Sequence, residues 1–373
     1  MKAMDLYMLK ALSKRKDEGC LRQLKVPNGL IDFCSNDYFG WSRSPANRTF
    51  FDCLQCDGSF IIGSTGSRLI SGNSLLVEEV ESQIARFHQA ESALLLNTGY
   101  LANLGLISAL AKRGDFIVRD ECVHASAVDG CRLSLATTLH FKHNQISDLR
   151  RKLEKYRSGK CFVLVESLYS MNGDFAPLSD LIDVCDRYNA LLIVDEAHAI
   201  GVFGGGLIQL LGLEKRVFAR VVTFGKALGV QGAAILGSKI LQDYLINYCR
   251  PFIYSTAASY WQLLAVRLAY QRLARAECDQ ALLQAKCLLF NRALGREVRG
   301  PFLSPIQIIY GKSNQEVEQW SEILQHHGFD VPAIKSPTVK PGRECLRVCL
   351  HSYNKDEDII RLVFRLKQLI KNE

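Results

Sequence analysis

No block of five or six like charges occurs anywhere in this 373-residue chain. Its 46 basic and 38 acidic residues leave a net charge of +8, but the excess is spread out. Without clustering it makes no nucleic-acid footprint, and at most suits small anionic molecules. The opening MKAMDLYMLKALSKRKDEG lacks the roughly 7–15-residue apolar core of a secretory signal. Repeats and low-complexity segments are absent as well. The phosphate-loop pattern G-x-x-x-x-G-K-[ST] is missing: Ala227 follows Lys226, and position 220 is Arg. That excludes a nucleotide-driven motor, although residues 195–198 read DEAH. The lone C-x-x-C, Cys53 to Cys56, has no second pair at metal spacing and follows no strand, so neither a metal nor a redox role is expected there. The remaining cysteines, such as Cys161, Cys185, Cys287 and Cys349, lie in apolar runs and read as reduced core fillers of a cytoplasmic protein. Residues 92–111 carry no charge and are long enough to span a bilayer. Asn97, Thr98, Gly99 and Asn103 interrupt them, however, and a strand, a turn and a helix explain the stretch better.

Short apolar runs then recur at 93–96, 116–118, 161–165, 190–194, 220–224 and 233–237. Runs this short and continuous read as strands buried on both faces. Helical stretches such as 178–190 lie between several of them. The pattern predicts an α/β fold, a mostly parallel sheet sandwiched by helices. From 261 to 295 the pattern turns long and helical. Beyond it, strands at 305–311 and 345–351 flank a helix beginning at Asn314, and a last helix covers 356–371, a smaller C-terminal α+β domain. The expected division is an N-terminal segment 1–39, a large domain 40–275 and a small domain 276–373.

In an open α/β sheet, ligands bind beyond the carboxyl ends of the strands. The residues there form a series. Asn97-Thr98-Gly99-Tyr100 opens a helix, whose free N–H groups suit a phosphate. His124 follows the second run, Glu166 and Ser170 the third, Asp195 and His198 the fourth, and Lys226 the fifth. Each alone reads as an ordinary cap or loop residue. Together they suit one ligand, a planar phosphorylated aldehyde with a ring nitrogen: pyridoxal 5′-phosphate. Lys226 would form its Schiff base, and enclosure would lower the lysine pKa. Asp195 would pair with the ring nitrogen and keep the ring an electron sink. His124 would stack on the ring, Ser170 and His198 would hydrogen-bond its phenolic oxygen, and glycines around Lys226 would allow close approach.

These residues resemble the α-oxoamine synthases, fold-type I pyridoxal-phosphate enzymes. The likeness runs through FCSNDYFGW 33–41, GSTGSRLISGN 63–73, HASAVDG 124–130, ESLYSMNGD 166–174, VDEAHAIGVFG 194–204, TFGKALG 223–229, FIYST 252–256 and PTVKPGRECLRV 337–348. Within the family it is nearest to members that join L-alanine to a pimeloyl thioester with loss of CO₂ in biotin synthesis. The resemblance implies Lys226, His124 and Asp195 as the catalytic set. It implies Thr223, Gly99 and Tyr100 on the phosphate, with Ser255 and Thr256 reaching it from the other subunit of a homodimer with shared sites. It implies Arg347 as the grip on the amino-acid carboxylate, with Asn36 at the rim and Arg22 on the substrate side. No metal, nucleic acid or membrane partner is implied. Three positions depart from the family's pattern: Asn172 stands where Asp is usual, Lys335 where many members have Arg, and AASYWQ follows Thr256 in place of a proline-containing turn. The alternatives are a sibling using glycine or serine with another acyl thioester, and a non-catalytic partner subunit that keeps only the fold.

Overall fold

The computed structural model describes residues 3–24, 26, 29–47, 63–155, 159–298 and 300–371. Cys53 and Cys56 lie outside them. The chain forms two units. The larger holds Asp37–Ser170 and Asp174–Ala281, and the smaller holds Met1–Asn36, Met171–Gly173 and Leu282–Glu373.

Among the described residues, seven strands make the sheet of the larger unit: β1 Ser92–Leu96, β2 Phe116–Asp120, β3 Thr137–Phe141, β4 Cys161–Glu166, β5 Leu191–Asp195, β6 Ala219–Thr223 and β7 Ala233–Gly237. Their order is β1-β7-β6-β5-β4-β2-β3. Strand β7 runs antiparallel to both neighbours, and the other pairings are parallel. The expected mostly parallel α/β sheet is therefore present. Strands β6 and β7 are joined by the turn that carries Lys226, without a crossover helix. Phe162, Val163, Leu164 and Val165 of β4 are all buried, as expected of a strand covered on both faces. Leu94, Leu106, Ile117, Ile193, Val221 and Ile235 share its core. Each such side chain contributes about 1.5–3 kcal/mol relative to exposure.

Two helices of this unit position the site, α1 Gly99–Leu110 and α2 Ala125–Ser134, and a third, α3 Leu178–Arg187, leads into β5. Residues 92–111 are thus β1, a turn and α1, and among the described residues no helix is long and apolar enough to cross a membrane. The long helical stretch after 261 is two helices, α4 Tyr260–Leu273 and α5 Glu277–Leu294. Glu277 and Asp279 sit in the first turn of α5, where negative charge favours a new helix start.

In the smaller unit, β8 Ile306–Tyr310, β9 Ala333–Ile334 and β10 Cys345–Cys349 form an antiparallel sheet in the order β9-β10-β8. Helices α6 Asn314–His326 and α7 Asp356–Lys371 complete its α+β pattern. Ile31–Asp32 pairs in parallel with Phe329–Asp330, so the N-terminal motif FCSND begins inside this unit.

Candidate active site

Asp195 is the last residue of β5 and lies in register with Glu166, the last residue of β4. The carboxylate of Asp195 is fixed on both oxygens. Oδ1 accepts the Ala197 backbone N–H at 2.9 Å, and Oδ2 accepts Nδ2 of Asn103 at 2.6 Å. Asn103 lies on α1 and is buried. Its amide also reaches Ser126 Oγ at 3.1 Å, and Ser126 Oγ lies 2.7 Å from Nδ1 of His124. A chain of polar contacts therefore links the acid at 195 to the imidazole at 124.

His124 caps α2. Its Nδ1 accepts the Ser126 backbone N–H at 3.2 Å. A backbone N–H can only donate, so Nδ1 holds no proton and the neutral ring carries its proton on Nε2. The protein packed around the ring lowers its pKa, the charge of Asp195 works the other way, and that of Lys226 lowers it again. The same two charges reach Glu166. Burial, then Asp195, raise its pKa to about 8, against the backbone N–H of Ser170 and the charge of Lys226. Ala197 connects the acid and the amine, since its N–H donates to Asp195 Oδ1 and its carbonyl accepts Thr223 Oγ1, which lies 3.4 Å from Lys226 Nζ.

Lys226 is half-buried in the β6–β7 turn, its Nζ 3.4 Å from Thr223 Oγ1. Thr223 Oγ1 also donates to the Ala197 carbonyl at 3.4 Å. The methyl of Thr223 stands against Gly99, where any Cβ would clash with it. Glycine at 99 is what lets the start of α1 approach the end of β6. Thr98 caps α1 by accepting the Leu101 N–H at 3.2 Å. Tyr100 is 42% exposed. Its ring stands edge-on to His124 at 6.5 Å, and its hydroxyl donates to Asp129. The glycines beyond Lys226 serve the chain itself: Gly229, with φ 66°, packs against the backbone of Ser42, and Gly232 packs against the ring of Phe224.

Ser170 is buried, and its backbone N–H donates to Glu166 Oε2 at 3.0 Å. His198 is buried with its Nδ1 2.7 Å from the hydroxyl of Tyr38. Thr256 accepts Nδ2 of Asn97 on its carbonyl at 2.8 Å, which sets residues 255–256 beside the turn leading into α1. In the smaller unit, Arg347 on β10 donates from Nη2 to Asn36 Oδ1 at 3.0 Å and from Nη1 to Cys349 Sγ at 2.9 Å. Arg22 instead donates to Thr338 Oγ1 at 3.0 Å. Lys335 is paired with Glu318 at 2.7 Å.

Three residues escaped sequence reasoning as parts of this arrangement: Asn103, Ser126 and Tyr38. Asn103 had a signal, being a polar side chain inside an otherwise apolar helix. Ser126 and Tyr38 had none beyond lying in long motifs.

A carboxylate held on both oxygens, an imidazole fixed in one tautomer, a turn amine and a glycine-opened helix start are the donor set that a phosphorylated pyridine aldehyde requires. Residues 28–366 match the Aminotransferase class I and II family. The chain is 40% identical over 380 residues to the 8-amino-7-oxononanoate synthase of Emericella nidulans, covering 94% of this chain and 92% of that one. An 8-amino-7-oxononanoate synthase structure from Francisella tularensis aligns with a TM-score of 0.78 at 28% identity, covering 93% and 99% of the two chains. A structure of SPT with PLP aligns with a TM-score of 0.87 at 25% identity, covering 100% and 99%. With its sheet, its strand-end residues and a match over 28–366 in agreement, this chain belongs to the aminotransferase class I and II family.

Proposed function

We propose that the protein condenses L-alanine with a pimeloyl thioester, releasing CO₂ and the thiol of coenzyme A or an acyl carrier, to form 8-amino-7-oxononanoate for biotin synthesis. The observation that carries this reading is the pair of contact paths that start at Asp195, one through Asn103 and Ser126 to His124, the other through Ala197 and Thr223 to Lys226. The 40% identity to a synthase of that name supports the choice of substrates.

Asp195 would hold the ring nitrogen of pyridoxal 5′-phosphate, and Gly99, Tyr100 and Thr223 its phosphate. His124 would hold its face, Ser170 and His198 its phenolic oxygen, and Lys226 its aldehyde carbon. When bound, the cofactor supplies an electron-withdrawing ring that takes up the charge left when a bond to the α carbon breaks. Lys226 Nζ takes the α proton and returns one at the end. Asn103 and the Ala197 N–H hold Asp195 as an acceptor in one orientation, so its charge is preorganised and no reorientation is needed during reaction. His124, with its proton on Nε2, donates to the oxygen that becomes negative as CO₂ leaves. The planar fork of Arg347 would grip the amino-acid carboxylate, its direction set by Asn36, with Arg22 on the substrate side. Ser255 and Thr256 complete the phosphate site of the partner subunit, which makes the working unit a homodimer. None of the eleven described cysteines is in a disulfide, which supports a reducing, cytoplasmic setting.

The backbone likeness to SPT gives a serine-using or glycine-using sibling as the second reading. A visible spectrum of the purified protein, titrated separately with alanine, glycine and serine, separates them. Alanine alone should shift the bound cofactor's band at low concentration. A colourless protein after cofactor addition would overturn the enzyme reading, and a preference for serine or glycine would transfer it to a sibling.

A further inference from the structure

Two loops carry side chains of the proposed site away from strand ends of the larger unit. One runs from Asp120, which ends β2, to His124. The other leaves Glu166, which ends β4, and holds Ser170 before the chain returns at Asp174. His143 belongs to neither, since it follows β3. Its Nδ1 lies 3.0 Å from Asp120 Oδ1, and its Nε2 lies 2.8 Å from Asp174 Oδ2. Carboxylates only accept, so both ring nitrogens donate and the ring is an imidazolium. Burial opposes that charge, but hydrogen bonds to Asp120 and Asp174 outweigh it and raise the pKa well above the usual range. The ring also stands edge-on to Tyr169, with centroids 4.5 Å apart at 89°.

The carboxylates are anchored in turn. Asp120 is fully buried and accepts the backbone N–H of Cys122 at 2.8 Å and that of Asn144 at 2.9 Å. Asn144, with φ 55°, donates from Nδ2 to the Phe175 carbonyl at 3.0 Å. A single cation therefore ties the loop bearing His124 to the loop bearing Ser170. Glu166 steadies the second loop on its inner side by accepting the backbone N–H of Ser170 on Oε2 at 3.0 Å.

We propose that His143 is a positioning residue, a charged strut between Asp120 and Asp174 that fixes the His124 loop against the Ser170 loop. Its effect on chemistry rests on the cofactor reading above. The strut itself does not. A removed strut leaves two buried or half-buried acids facing each other, which loosens both loops together.

The ligand atoms of Asp120, Cys122 and His143 also lie within 4.8 Å of one another, so zinc is the competing occupant. The test compares wild type, His143→Gln and Asp174→Asn. It reads hydrogen exchange of the cofactor-free proteins, circular dichroism of bound pyridoxal phosphate, and steady-state kinetics. In His143→Gln, peptides covering 120–124 and 167–174 should both exchange about 10-fold faster. The induced dichroism should fall by about half and kcat about 10-fold, while KM for alanine stays within about twofold. Asp174→Asn should move each readout the same way by less, because Asp120 still holds the ring. It also keeps the test alive should His143→Gln fail to fold. Faster exchange in only one loop would overturn the strut. So would a lowered melting temperature with unchanged dichroism and kcat, or stoichiometric zinc that is lost in Cys122→Ser. A wild-type protein that gives no cofactor band would defeat the cofactor reading, while the exchange experiment would still decide on the strut.

Discussion

Glu166 and Asp195 are register partners at the ends of adjacent parallel strands, yet the two carboxylates are held differently. Asp195 accepts a side-chain amide and a backbone N–H, one on each oxygen. Glu166 accepts the backbone N–H of Ser170 on Oε2, and its Oε1 is buried with no hydrogen-bond partner. Two acids this close cannot both ionise cheaply, and the one with fewer donors keeps its proton.

Glu166 should therefore make stability fall as pH rises. Its pKa in the folded chain, about 8, lies above the ordinary 4.5. The folded state binds the proton more tightly, so the contribution is complete below about pH 4.5 and is lost progressively up to about pH 8. Melting temperatures of wild type and Glu166→Gln should diverge across that window, with the wild type losing ground toward pH 8. Parallel curves would show that Glu166 is ionised throughout.

Asn103→Ala should release one oxygen of Asp195 and break the path to Ser126. A hydrogen bond to a charged group is worth about 1.5–3 kcal/mol, so denaturant unfolding should show a loss of that order. Cofactor affinity should fall as well. Unchanged stability and affinity would mean that Asp195 needs no orienting partner.

Gly99→Ala would drive a methyl into the Thr223 side chain. Cofactor affinity, measured by absorbance titration, should drop about 10-fold, equivalent to about 1.4 kcal/mol. Adding Thr223→Ser removes the opposing methyl and should restore most of the loss. Failure of the double variant to recover would place the strain elsewhere.

Lys226→Ala should abolish borohydride trapping of the cofactor and lower kcat by roughly 10²–10⁴-fold or more, the usual weight of a proton-transferring group. A variant still trapped at the same site would show that another amine holds the aldehyde carbon.

Arg347→Lys keeps the charge but loses the two-pronged donor geometry. KM for the amino acid should rise roughly 10-fold with cofactor affinity unchanged. An equal loss of both would point to a structural role, through Asn36 and Cys349, in place of carboxylate binding.

Much of the fold was legible because buried strands announce themselves. The runs at 93–96, 161–165 and 233–237 became β1, β4 and β7 within a residue or so, since continuous apolar stretches of that length have few other places to go. Strand β3 was not legible. Thr137, Thr138 and His140 are exposed on this edge strand, so TTLHF carries no apolar run to read. The Ile31–Asp32 and Phe329–Asp330 pairing was equally hidden, because two residues carry no period. The sequence listed the polar groups at successive strand ends, but it could not show Asn103 meeting Asp195 across 92 positions, or His143 reaching two loops at once.

The order of motifs and the alternation of buried strand with helix are local properties of the chain. Apolar period and turn chemistry set them residue by residue, and from them came the α/β class and the candidate residues at the strand tips. Which acid is ionised, which nitrogen of His124 bears the proton and what each glycine makes room for were decided only when distant segments packed. Desolvation and hydrogen-bond supply depend on neighbours that are remote in the chain, and no spacing encodes them.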